Sequence, residues 1–133
     1  MVLIEQYRHG ADEVQLEIPG GVVYPNESHE QAASRELAEE TGYIGKQAIE
    51  IGHINPNPAL FHNKCYTFLV LDAVEGLQKL EETEDIAVQL VPLSAISELI
   101  FSGNIQHGLV VAAFYLYEHY KKVNLRQDKS PAL

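Results

Sequence analysis

One stretch constrains this chain more than any other: GGVVYPNESHEQAASRELAEETGY, from Gly20 to Tyr43. Ser28 followed by Gln31 is a capping-box pattern and Gly42 supplies a C-terminal stop, so Ser28–Thr41 is predicted as one short helix. At about 100° per residue, Glu36, Glu39 and Glu40 fall within an arc of roughly 100° on that helix. Glu36 and Glu40 stand one turn apart, a like-charge pair that weakens a helix slightly. Glu39 and Glu40 also occupy the last turn, where the helix dipole favours cations. The helix holds no lysine, and its only arginine is Arg35. A solvated acidic face is the plain reading of such a run. The flanks argue for more. Pro19-Gly20-Gly21 closes a strand with a tight loop whose backbone can approach a bound ion, and Glu27 adds a fourth carboxylate just ahead of the helix. Local preferences broken together mark a site, and a divalent cation is the natural missing partner.

These residues resemble the signature of the Nudix hydrolases. That signature reads Gly, five residues, Glu, seven residues, Arg-Glu, an aliphatic residue, any residue, Glu-Glu, any residue, Gly and an aliphatic residue. Gly21, Glu27, Arg35, Glu36, Leu37, Glu39, Glu40 and Gly42 match it. Tyr43 is the one departure, standing where the family has an aliphatic residue. The resemblance implies an α/β (α+β) fold, an α/β/α sandwich with a mixed sheet. It also implies hydrolysis of the pyrophosphate bond in a nucleoside diphosphate linked to another group, with Mg²⁺ or Mn²⁺ held by carboxylate oxygens. By that resemblance Glu36 and Glu40 are metal ligands, Glu39 is a ligand or hydrogen-bonds to one, and the Gly20 carbonyl is a further candidate. Arg35 would orient the glutamates, Glu36 and Glu39 would share in catalysis, Gly21 would lie against substrate, and Glu27 would act from behind the ligands.

The remaining composition narrows the setting. A chain of 133 residues forms one domain with one core, here residues 1–123, followed by a polar tail over 124–133. A net charge of −10 argues against a nonspecific grip on nucleic acid, which depends on clustered Lys and Arg. No apolar run approaches the ~20 residues that span a bilayer, and no signal-peptide pattern opens the chain, so no membrane is expected and the cytoplasm is the expected compartment. Cys65, the single cysteine, allows no internal disulfide and reads as a small buried hydrophobe.

In order along the chain, Val2–Tyr7 reads as a strand, and Val14, Leu16 and Ile18 alternate with polar residues in a second. After the helix, Ala48–Ile54 is a strand, Asn55-Pro56-Asn57-Pro58 a rigid loop, and Cys65–Asp72 a strand buried on both faces. Leu77–Asp85 is an acidic loop and Ile86–Val91 a strand. A short helix runs from Pro92 and Ser94 to Phe101, stopped by Gly103. The last helix spans Ile105–Lys121, with Leu109, Ala112, Ala113, Leu116 and Tyr120 on one face.

Leu3–Arg8, Leu16–Gly21, Glu82–Ile86, Ser102–Ile105 and Pro58 resemble the ADP-ribose pyrophosphatase branch of that family. In that branch a glutamate of the acidic loop is a general base or an extra metal ligand, which makes Glu82 and Glu84 catalytic candidates. Arg8 and Glu17 would contact substrate; their plain readings are a surface arginine and an exposed strand residue. The implied partner is a small nucleoside diphosphate derivative such as ADP-ribose. Branch members carry an extra N-terminal β-domain that exchanges between subunits. This sequence begins at the first catalytic strand, so weak discrimination between bases is expected and a homodimer is left open. Two other functions compete: hydrolysis of a nucleoside triphosphate, and nucleotide sensing without cleavage.

Overall fold

A seven-residue strand at the start of the chain is the axis of the structure. Strand β1 (Val2–Arg8) pairs antiparallel with β2 (Glu13–Glu17) on one side, Ile4 opposite Glu17. The computed structural model describes residues 1–127, with side chains to residue 124. After β2 come α1 (His29–Thr41), β3 (Tyr43–Ile44), β4 (Ala48–Ile54), β5 (Cys65–Val70) and β6 (Val74–Glu75). Then follow β7 (Ile86–Leu90), a 3₁₀ turn at Leu93–Ala95, α2 (Ile96–Phe101) and α3 (Gly108–Gln127). Strand β7 returns to the other side of β1, Ile4 opposite Val88.

Leu3 and Ile4 are both fully buried. Adjacent strand residues point to opposite faces, so β1 is covered on both sides. Leu3 packs with Ile96 of α2, Ile105, and Val110 and Phe114 of α3. Helix α1 contacts β1 and β7, on the face that Ile4 takes. Helices on either side of a strand layer make the expected α/β sandwich, but the layer is divided. Strands β4 and β5 form a second, two-stranded sheet and β3 and β6 a third, and every described pairing is antiparallel. The expected α+β arrangement of helices and sheets is present, and its described strand pairs are antiparallel. A cleft of about 980 Å³ lies among Met1, Ile18, the residues of β5, and helices α1 and α3.

That cleft corrects the reading of β5. The strand ends at Val70, and all six of its residues are half-buried because they border open space. In β2 Val14 is exposed along with Glu13 and Glu17 is buried, the reverse for Val14 and Glu17 of what alternation of apolar residues suggests. The last helix starts at Gly108, three residues later than expected, because Ile105 is buried in the preceding turn with its N–H on the Leu99 carbonyl. Its buried face centres on Val110, Ala113 and Phe114. The helix passes residue 123 and continues to Gln127; residues 128–133 of the expected tail lie outside the described residues.

The capping box at Ser28 and Gln31 is formed, with both reciprocal hydrogen bonds. At the other end Gly42 adopts φ 77°, in the left-handed region, and its N–H closes on the Ala38 carbonyl. Two further carbonyls of the last turn are taken by the acidic loop: Lys79 N–H donates to Glu39 at 2.9 Å and the Gln78 amide to Glu40 at 2.6 Å. A Cβ on Gly42 would lie 2.8 Å from the Gln78 nitrogen and 2.9 Å from the Gly76 oxygen. Gly103, with φ 81°, has no such neighbour within 4 Å. Gly42→Ala therefore adds a clash to the strain that Gly103→Ala incurs alone, and should cost about 1–2 kcal/mol more in urea unfolding. Equal losses for the two variants would show that the loop is not seated against the helix end.

Candidate functional site

Ala32, Glu36 and Glu40 recur at four-residue intervals on α1 and are all buried, so the helix turns carboxylates inward. Arg35 is the counterweight. Its guanidinium donates to Glu27 at 2.9 and 3.1 Å, to Glu36 at 2.9 Å, to Glu39 at 2.9 Å and to the Val22 carbonyl at 3.0 Å. The Tyr24 ring lies over it, 4.1 Å from ring centroid to guanidinium carbon. Glu27 first, then Glu39 and Glu36, hold Arg35 more firmly protonated than usual, and Arg35 in turn lowers the Glu27 pKa. These contacts join Arg35 to three glutamates, Glu27, Glu36 and Glu39.

Gly21 makes room for Glu36: a Cβ there would lie 2.2 Å from the Glu36 Oε1. Gly20 donates its N–H to Glu40 Oε2 at 2.8 Å. Burial pushes the Glu36 carboxyl above its ordinary value, against the pull of Arg35. Burial also pushes Glu40 up to about 7, with the charges of Glu36 and Glu84 adding to it and the Gly20 N–H opposing it.

The acidic loop completes a recess of about 270 Å³, lined by Glu36, Glu39, Glu40, Glu81, Glu84, Arg8, Gln6 and Tyr24 around the Gly20–Val22 backbone. Glu84 is brought in, while Glu82 is exposed and outside the lining. Sequence reading missed Glu81, whose carboxylate accepts from the Tyr24 hydroxyl at 3.4 Å. It also missed Gln78, whose amide spans the Glu40 and Ile86 carbonyls and seats the loop. A glutamine in an acidic loop carries no signal of that role.

Arg8 and Glu17 meet each other. The Arg8 Nε and Nη2 each donate to Glu17 at 2.8 Å, a bidentate pair, and His107 Nδ1 lies 2.9 Å from the same carboxylate. Glu17 is 2% exposed and Arg8 lines the recess. Glu17 is therefore not the exposed strand residue of its plain reading. Cys65 is half-buried, and its surroundings push the thiol pKa up, so it is no activated nucleophile.

Five glutamates and one arginine line the recess, and every donor facing it from those glutamates is a hard oxygen, the set that suits Mg²⁺ or Mn²⁺. Among the described residues no three carboxylates or imidazoles are already grouped at ligand spacing. The donor chemistry fits such an ion.

A loop-and-helix carboxylate site between a hairpin sheet and an acidic loop defines the class of this domain. The family model described as NUDIX domain matches residues 1–114, and the chain belongs to the Nudix family. It is 30% identical over 107 residues to the ADP-ribose pyrophosphatase of Bacillus subtilis (strain 168), covering 79% of this chain and 58% of that protein. It is 25% identical over 122 residues to the ADP compounds hydrolase NudE of Escherichia coli (strain K12), covering 92% of this chain and 66% of that one. A crystal structure of an ADP compounds hydrolase superposes with a TM-score of 0.83 at 26% identity, covering 92% of this chain and 66% of its own. The chain spans between about a third and two thirds of the length of the curated relatives it matches. Nudix hydrolases generally use divalent metal ions. No described helix is long and apolar enough to cross a membrane.

Glu17 gives a pH signature independent of any ion. Burial raises its pKa, but the hydrogen bonds from Arg8 and His107 outweigh this and hold it below the ordinary 4.5. A carboxyl lowered on folding contributes stability above its unfolded pKa and loses it as pH falls through the folded value. The stability difference between wild type and Glu17→Gln should therefore shrink over the acid range below the ordinary 4.5 in denaturant titrations. A difference constant across that range would contradict the buried ion pair.

Proposed function

We propose that this chain hydrolyses the pyrophosphate bond of a nucleoside diphosphate joined to another group, ADP-ribose or a related nucleoside diphosphate sugar foremost. The products are a nucleoside monophosphate and a sugar phosphate. The observation that carries this reading is the recess itself, in which inward-turned carboxylates on α1 face a single cation, Arg8, across about 270 Å³. Relatives named for ADP-ribose and ADP compounds support the substrate class.

Glu36, Glu39 and Glu40 would hold Mg²⁺ or Mn²⁺, with the Gly20 backbone beside them. Such an ion, when bound, neutralises adjacent phosphate charge and makes water a stronger acid. Arg35 keeps Glu36 and Glu39 aligned. Arg8 meets the diphosphate. Glu84, inside the lining, takes the proton of the attacking water; Glu82 and Glu81 are its neighbours on the loop. The water oxygen bonds to one phosphorus, the bond from that phosphorus to the bridging oxygen breaks, and the bridging oxygen leaves with the other phosphate. Gly20, Gly21, Val22 and Glu36 border both the recess and the large cleft, so one end of a long substrate has room to extend beyond the diphosphate.

A panel of nucleoside diphosphate sugars and nucleoside triphosphates with Mg²⁺ and Mn²⁺, both products quantified, tests the proposal. We expect cleavage of ADP-ribose to AMP and ribose phosphate that stops in excess EDTA. Glu40→Gln should lower kcat by at least about 10²-fold while the fold persists. Pyrophosphate released from a triphosphate, with no diphosphate sugar cleaved, would overturn the substrate assignment, and undiminished turnover in EDTA would overturn the metal role.

A further inference from the structure

The Arg8–Glu17–His107 chain crosses elements that are far apart in sequence, and its last member has no part in the reaction described above. Glu17 and His107 are 90 residues apart. Glu17 is buried with both oxygens engaged: Oε1 by Arg8 Nε, Oε2 by Arg8 Nη2 and by His107 Nδ1. A carboxylate only accepts hydrogen bonds, so His107 Nδ1 carries the proton in this contact. Arg8 is the one cationic side chain among the residues lining the recess, where it faces five glutamates.

A guanidinium is planar and rigid, so holding Nε and Nη2 on one carboxylate fixes where the remaining N–H groups point. The direction of Arg8 therefore depends on the plane of the Glu17 carboxylate. From Arg8 alone that plane has a partner that is 40% exposed and able to swing. His107 supplies the second anchor, on the oxygen that also receives Nη2. Its own mount is firm: the His107 carbonyl accepts the N–H groups of Val110 and Val111 as α3 begins.

We infer that His107 is a positioning residue that acts through Glu17 to aim Arg8 at the anionic diphosphate of the substrate. This rests on the proposed pyrophosphatase reading and deepens it. Losing His107 frees the Glu17 carboxylate to rotate and lets Arg8 tilt toward the excess of carboxylates around it. Substrate affinity falls, while the groups that act on water stay in place. A merely structural role, stapling α3 to β2, would instead lower thermal stability without singling out the substrate.

The test compares His107→Leu, which keeps bulk but removes the donor, with His107→Asn, whose Nδ2 takes the position of the imidazole Nδ1. Each is measured alone and in an Arg8→Ala background. Three quantities are read: KM and kcat for the cleaved diphosphate sugar, the affinity for inorganic pyrophosphate with Mg²⁺ by calorimetry, and Tm. His107→Leu should raise KM and weaken pyrophosphate binding by about five- to tenfold, the scale of one ordinary hydrogen bond, with kcat within about twofold. His107→Asn should recover most of that loss. In the Arg8→Ala background His107→Leu should change neither quantity further, because the two substitutions remove one interaction. A loss that persists undiminished in that background, or a change in Tm with KM and pyrophosphate affinity unaltered, would overturn the inference. Failure to cleave any diphosphate sugar would count against the proposed function alone. Pyrophosphate binding still decides the positioning role, and equal affinity in wild type and His107→Leu would end it.

Discussion

Arg35 is the interaction on which the site depends. One guanidinium gathers Glu27 from the loop, Glu36 and Glu39 from the helix, and the Val22 carbonyl between them. Without it the carboxylates would repel one another across the loop-helix junction, and the Val22–Glu27 part of the loop would lose its ties to the guanidinium. A single positive charge cannot balance the glutamates around it, and Glu40 lies outside its reach, its carboxylate hydrogen-bonded among the described residues only to the Gly20 N–H. The remainder of that charge is what the burial of Glu36 and Glu40 leaves uncompensated. Buried carboxylates are costly even when hydrogen-bonded, and on the proposed reading a divalent ion supplies the missing positive charge.

The surrounding elements serve that arrangement. Gly21 yields its side-chain volume to Glu36, and Gly42 turns the chain so that the acidic loop can seat on the helix C-terminus through Gln78 and Lys79. The loop thereby satisfies carbonyls that a helix end leaves open and carries Glu81 and Glu84 over the recess in the same contact. Arg8 enters from the opposite wall, held by Glu17 from the paired strand. The strand hairpin, the helix and the loop thus each contribute one wall and one kind of charge.

Local patterns foretold local structure. Ser28, Gln31 and Gly42 marked α1 because caps are written in adjacent residues, and the Glu36, Glu40 and Arg35 constellation was legible for the same reason. What escaped notice was long-range. Glu17 looked like the polar half of an alternating strand, yet it is buried because Arg8 and His107 reach it from elsewhere, and Val14 is left exposed instead. Glu81 could not be told from Glu82 and Glu84 in a run of acids, since only the seating of the loop decides which side chain turns inward. Cys65–Asp72 looked like a doubly covered strand from its composition. Its cover depends on whether the two sheets meet, and they are separated by a cleft. The helical extension to Gln127 passed unnoticed because four of its six residues are polar and its helicity continues from the apolar turns before it.

The central claim is that the carboxylates of α1 form an incomplete site that a divalent cation completes. Calorimetric titration of Mn²⁺ into the wild type and into Glu36→Gln/Glu40→Gln, with folding checked by circular dichroism in EDTA, tests it most directly. The account predicts saturable binding to the wild type, and a double variant that stays folded while its affinity falls by at least about 10²-fold. Equal affinity in the two proteins, or no binding to the wild type, would contradict it.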